Sequence, residues 1–229
     1  MAFVFSLLIM LLFAPSLAAA SVLEDCDQEA DLELRIVGCS SVLSNLRLPA
    51  KVRSLALNNR GSAHKGKGDY RNAIADYSLA IELDPKNDTA FNNRGNAYSA
   101  EGDLNRAIAD YNHAIKLDPG FAGAFNNRAV ARKAKGDFRR ALADLDQAIK
   151  LDPTFAVAFR NRGDIHHAKG SNDQAIADYD QSIKLDPTCA LAYFNRGNAY
   201  EAKGEHGRAI ADYDLAISLD PDLISGTQL

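Results

Sequence analysis

The sequence predicts an all-α fold: a solenoid of five stacked helix–turn–helix units, closed at its N-terminal end by a capping helix. Three observations predict it. Arg60, Arg94, Arg128, Arg162 and Arg196 recur at a constant spacing of 34 residues, and so do Pro85, Pro119, Pro153, Pro187 and Pro221. Copies held in register without insertion or deletion indicate one supersecondary unit stacked on itself, each too small to bury its apolar face alone. Within a copy, apolar residues return at helical spacing: Phe91, Gly95 and Tyr98 share one face, and Ala107, Tyr111 and Ala114 share another. The runs are separated by Gly68, Gly102, Gly136, Gly170 and Gly204 and by the periodic prolines, residues that terminate helices.

Before the repeats the chain is different. Ala2 to Ala14 is almost unbroken hydrocarbon, Pro15 ends the run, and Ala18-Ala19-Ala20-Ser21 supplies the small residues that a signal peptidase accepts. Residues 1–20 therefore read as a secretory signal cut near Ala20, which predicts a periplasmic or secreted protein. The apolar run is short against the ~20 residues that span a bilayer, so no membrane insertion is expected after cleavage. With no Lys or Arg ahead of the run, an uncleaved anchor is the alternative.

Residues 21–53 form a capping segment. Cys26 and Cys39 lie close together, and in an oxidising compartment such a pair predicts a disulfide, with two reduced thiols as the alternative. Leu32, Ile36, Cys39, Leu43 and Leu46 fall on one face of a helix from Asp31 to about Asn45. That face suits the exposed end of an array, which needs a cover.

The units themselves occupy residues 54–87, 88–121, 122–155, 156–189 and 190–221. In each, a first helix ends at the periodic glycine. Asp69, Asp103, Asp137 and Ser171 then stand where a second helix needs its N-cap. The proline stops that second helix and pushes the preceding aspartate out of helical geometry. Residues 222–229 are a short tail, so the last helix, around Ala209 to Leu219, has no evident cover and offers a route to self-association.

These residues resemble the tetratricopeptide repeat (TPR) pattern of a large residue, Leu-Gly, Tyr, Ala, an aromatic, Ala and Pro. Here the second copy reads Phe91, Arg94-Gly95, Tyr98, Ala107, Tyr111, Ala114 and Pro119. The resemblance covers about Ser54 to Pro221 and implies a right-handed superhelix whose first helices line a concave groove. Arg replaces the pattern's Leu in every copy, and the third copy has Ala129 for Gly and Arg132 for Tyr, which predicts looser packing there. Chaperone-tail binders of this family clamp a carboxylate with groove-facing cations, whereas the matching positions here are Asn92, Asn96, Asn127, Val157 and Asn161.

Helical geometry separates candidate binding residues from structural ones. Asn93 lies nearly opposite Phe91 on its helix, and Asn59, Asn127, Asn161 and Asn195 are its equivalents; Asn96 falls on the same outward face. This row resembles the asparagine ladder of the O-GlcNAc transferase superhelix, which grips a peptide backbone. Amides suit that task because each offers donors and an acceptor whatever the ligand's side chains. The alternative is that each Asn bonds only neighbouring helices or water. Arg94 and Asp110 lie on matching flanks of the two helices in every copy, which predicts a periodic ion pair.

Little else points to chemistry. The chain of 229 residues has a net charge of −4 and 24% charged residues, which gives no case for nucleic acid. His64, His113, His166, His167 and His206 lack metal-ligand spacing, Cys189 has no local base, and no phosphate loop or nucleophile elbow is present. The expectation is an exported scaffold or adaptor rather than an enzyme, with no cofactor or metal, and with a protein segment or extended peptide as partner. A structural subunit that stacks through its C-terminal helix is the alternative.

Overall fold

The computed structural model describes residues 24–28 and 30–223. The signal over residues 1–20, its cleavage near Ala20 and most of the tail, residues 224–229, lie outside the described residues. The chain divides into two compact units, Met1–Pro119 and Gly120–Leu229. In the first, a helical turn at residues 24–27 precedes α1 (Leu32–Ser44), α2 (Ala50–Gly66), α3 (Tyr70–Leu83), α4 (Asp88–Ala100) and α5 (Leu104–Leu117). In the second lie α6 (Ala122–Ala134), α7 (Phe138–Leu151), α8 (Ala156–Ala168), α9 (Asn172–Leu185), α10 (Ala190–Ala202) and α11 (His206–Leu219). Within each unit, every helix packs on the next, and first helices of adjacent repeats also touch, α2 on α4, α6 on α8 and α8 on α10.

Local chemistry sets the ends of these helices. The Asp31 carboxylate accepts from the backbone N–H groups of Glu33 and Leu34 and starts α1. Asp69, Asp103 and Asp137 accept from Asn72, Arg106 and Arg140 and start α3, α5 and α7. Ser171 holds the equivalent position before α9 but makes no capping hydrogen bond, contrary to the sequence reading. The periodic glycines take the left-handed conformation, as with Gly102 at φ 81°, where a side chain would be strained. Each proline-bearing turn follows an extended aspartate, for instance Asp118 at φ −127° and ψ 97°.

Cys26 and Cys39 are joined in a disulfide that seals α1 against the preceding turn. Both are buried, and with Val42 and Ala56 they form a small core between α1 and α2. Gly38 permits the approach, because a Cβ there would stand 2.6 Å from the Asp25 Cβ. Of the predicted apolar face, Leu32, Ile36 and Leu43 are partly covered and Cys39 is buried, while Leu46 lies past the end of α1 and is 72% exposed.

A close contact between glycine and tyrosine sets the distance between the two helices of a repeat. A Cβ on Gly61, Gly95, Gly163 or Gly197 would come within 2.6–2.8 Å of the ring of Tyr77, Tyr111, Tyr179 or Tyr213. The third repeat is not loosely packed there, because its Ala129 faces Leu145 instead, and the two are 0% and 1% exposed. A larger residue on one helix meets a smaller one on the other, so volume is conserved. Gly95→Ala is therefore expected to cost roughly 1–3 kcal/mol by overpacking, and adding Tyr111→Leu should recover much of it. Urea midpoints of the two variants check this; a double variant no more stable than the single one would contradict it.

Candidate functional site

The periodic arginines are built into the scaffold. Arg60, Arg94, Arg128, Arg162 and Arg196 each give Nε and Nη2 to both carboxylate oxygens of Asp76, Asp110, Asp144, Asp178 and Asp212, at 2.6–3.0 Å. Those bonds raise the pKa of Arg60 and Arg94. Nη1 reaches back to an earlier helix, Arg60 to Ser40 of the capping helix α1, and Arg94 to Ser78, Arg162 to Asp146 and Arg196 to Asp180 of the preceding second helix. The guanidinium also lies over the ring three residues earlier, 5.7 Å from Phe91, 5.3 Å from Phe125, 5.6 Å from Phe159 and 5.5 Å from Tyr193. One planar cation thus ties both helices of its own repeat, and Arg60, Arg94, Arg162 and Arg196 also hold a neighbouring helix; a leucine could do none of this.

The asparagines lie on the other side of the first helices. In the first unit, Asn59 is 7% exposed and donates to the Cys26 carbonyl at 3.3 Å and to Asp27 at 3.5 Å, so it sits beneath the cap. The Asn93 amide donates to Asn58 Oδ1 at 3.0 Å, and Asn96 Oδ1 accepts the Tyr111 hydroxyl at 2.8 Å. In the second unit, Asn161 donates to Asn126 Oδ1 at 2.8 Å, Asn195 donates to Asp164 Oδ1 at 2.9 Å, and Asn127 Oδ1 accepts from Asn126 at 3.2 Å. The amides are thus held by the scaffold: Asn59 by the cap, Asn93, Asn161 and Asn195 by the preceding first helix, Asn96 and Asn127 within their own repeats. Sequence reasoning missed the partners Asn58 and Asn126, although their own spacing of two periods was visible.

Beside these amides stand exposed aliphatic residues. Leu55, Val130, Val157 and Leu191 are 36–44% exposed, each three or four residues from a ladder asparagine and hence on the same face. Asp164 is a hub in the second unit, taking Lys133 Nζ at 3.0 Å and the Tyr179 hydroxyl at 3.1 Å as well as Asn195. Burial first, and then the Asp164 charge, push the Tyr179 phenol upward, so it remains a neutral donor. Arg160 directs Nη1 to the Cys189 sulfur at 3.4 Å. Among the described residues, no group of three or more His, Cys, Asp or Glu side chains could hold a metal ion, and no helix is long and apolar enough to cross a membrane.

Helix pairs tied at a fixed period by the same arginine–aspartate bonds define a helical repeat protein. The chain belongs to the tetratricopeptide repeat family. Sequence profiles of the TPR repeat match residues 61–102, 131–170 and 163–204, and profiles of the tetratricopeptide repeat match residues 89–121 and 190–223. Among solved structures it is similar to MamA, with 28% identity over 72% of this chain and 96% of that one, at a TM-score of 0.62. It is also similar to a tetratricopeptide repeat protein from Parabacteroides merdae, with 20% identity over 89% of this chain and 80% of that one, at 0.71. A third is YrrB, described as a TPR protein with an unusual peptide-binding site, with 22% identity over 81% and 94% and a TM-score of 0.59. No curated protein matches the chain by sequence.

Proposed function

We propose that this is an exported TPR scaffold that holds an extended peptide segment along the asparagine face of its first helices. The observation that carries the reading is the pairing of oriented amides with exposed aliphatics in the second unit: Asn161 with Val157, and Asn195 with Leu191. With Nδ2 anchored to the preceding helix, each amide presents its remaining hydrogen-bonding positions without losing rotamer freedom when a ligand arrives. Aliphatic neighbours add apolar contact for the side chains of the same ligand. The likeness to YrrB, a peptide-binding TPR protein, supports the class of ligand. Export rests on the N-terminal signal pattern and accords with the Cys26–Cys39 disulfide, which persists in oxidising compartments.

The test uses peptides selected against the full chain from a random linear library. Asn161→Ala combined with Asn195→Ala should weaken the selected peptides by roughly tenfold to a hundredfold, since each lost bond is worth about 0.5–1.5 kcal/mol. Fluorescence anisotropy measures this, and unchanged affinity would dismiss the reading. A second reading, a structural subunit, draws on α11. Ile210, Leu215 and Ile217 are 60%, 47% and 40% exposed there, while the equivalent Ile176 and Ile183 of α9 are partly covered. A concentration-dependent shift in size-exclusion volume would favour that alternative.

A further inference from the structure

The second helix of a repeat offers two sides, one to its own first helix and one to the first helix of the next repeat. On α3, α7 and α9 that second side is filled. Ala97 of α4 packs with Ile74 and Tyr77, Ala158 and Ile165 of α8 pack with Leu145 and Ile149, and Ala199 of α10 packs with Ile176 and Tyr179. An arginine of the arriving helix reaches the same side, Arg94 at Ser78, Arg162 at Asp146 and Arg196 at Asp180. On α11 this surface returns 34 residues after its place on α9, as Ile210, Tyr213, Asp214 and Ile217. It stands open there: Ile210 is 60% exposed and Ile217 40%, and Tyr213 is only half-buried where Tyr179 is 1% exposed. Asp214 is exposed and has no hydrogen-bond or ion-pair partner among the described residues.

We infer that the open face of α11 docks a helix of another protein, one that carries an alanine, an arginine four residues later and a second alanine three residues beyond. The filled copies of this surface specify that pattern. Ala90, Arg94 and Ala97 on α4, and Ala192, Arg196 and Ala199 on α10, have this spacing, and all four alanines are fully buried. On α8 the series is Ala158, Arg162 and Ile165. Small residues let two helix axes come close, so that the isoleucines and the tyrosine ring of the receiving helix are covered. The arginine then meets the carboxylate of Asp214, as Arg162 and Arg196 meet Asp146 and Asp180. The first helices of this chain are each seated on their own second helix, so the arriving helix comes from elsewhere. Charge selects its kind: two copies that met through α11 would each bring a free aspartate, whereas an arginine-bearing helix supplies the opposite charge. The surface lies apart from the asparagine face and stands whether or not that face binds peptide.

The experiment follows the methyl resonances of Ile210 and Ile217 in the full chain during titration. The probe is a peptide with the sequence of α10, Ala190–Ala202, stapled between the positions of Leu191 and Asn195 because so short a helix is unstable alone. Saturable shifts are expected at Ile210 and Ile217, with Ile176 and Ile183 of the covered α9 unmoved. Arg196→Ala in the peptide should weaken binding roughly twofold to fivefold, the range for a partly exposed ion pair. Asp214→Ala in the protein should remove that difference, so that both peptides bind it equally. Ala199→Leu in the peptide should weaken binding by at least about fivefold, because the larger side chain holds the helices apart. No saturable shift, undiminished binding of the Ala199→Leu peptide, or an arginine preference that survives Asp214→Ala would each overturn the inference. So would methyl shifts at Ile210 and Ile217 that grow with protein concentration alone, since they would assign the face to a second copy of this chain.

Discussion

Asp144→Ala is expected to destabilise the second unit by roughly 3–5 kcal/mol, the largest effect of any single substitution considered. Asp144 is 4% exposed and accepts Arg128 Nε at 3.0 Å, Arg128 Nη2 at 2.6 Å and Arg132 Nη1 at 2.6 Å. The two guanidinium side chains are themselves only 14% and 16% exposed. Burial first, and then the Arg128 charge, lower the pKa of Arg132, while Asp144 opposes both. Removing the carboxylate leaves two cations facing each other with little water to screen them. Asp178→Ala should cost less, because Asp178 answers one arginine through Nε and Nη2, with His166 farther off at 3.8 Å. Urea unfolding of both variants measures the difference. A loss below about 1 kcal/mol for Asp144→Ala would show the pair to be solvated after all.

The second large effect is the loss of the disulfide. Its closure spans a sequence separation of 13, for which the chain-entropy relation gives about 3 kcal/mol of stabilisation. The sulfurs are also the centre of the core between α1 and α2, so a Cys26→Ser, Cys39→Ser variant buries two hydroxyls where apolar atoms stood. Amide hydrogen exchange should accelerate across α1 and the adjoining face of α2, while α10 and α11 remain as protected as before. Uniform acceleration along the chain would mean that the cap holds more than its own end. Under denaturing, non-reducing conditions, thiol titration should find Cys189 alone reactive, in keeping with its status as the free cysteine.

The helices were legible in the sequence because their signals are local. The Asp31 cap, the glycines at positive φ and the prolines after extended aspartates act on neighbouring backbone, so α1 begins at Leu32 and ends at Ser44, close to the range read from the chain. The arginine–aspartate pairs were legible too, since a constant offset of sixteen residues carries them across one turn of the repeat. The asparagine row was visible as a row. Its bonds were not: Asn93 and Asn161 each reach an asparagine 35 residues earlier, and Asn195 departs from that rule to bond Asp164.

By itself, then, the sequence determined the period, the family, the helix ends and the periodic ion pairs, all of which depend on spacing along one chain. Only the tertiary structure decided what meets across helices. It showed that Ala129 and Leu145 conserve the volume of a glycine and a tyrosine, and that the arginines reach back to Ser40, Ser78, Asp146 and Asp180. The physical reason is that packing is a property of pairs. Which side chain fills a gap, or which acceptor an amide finds, depends on the azimuth and register of a helix many residues away, and no single helix encodes that.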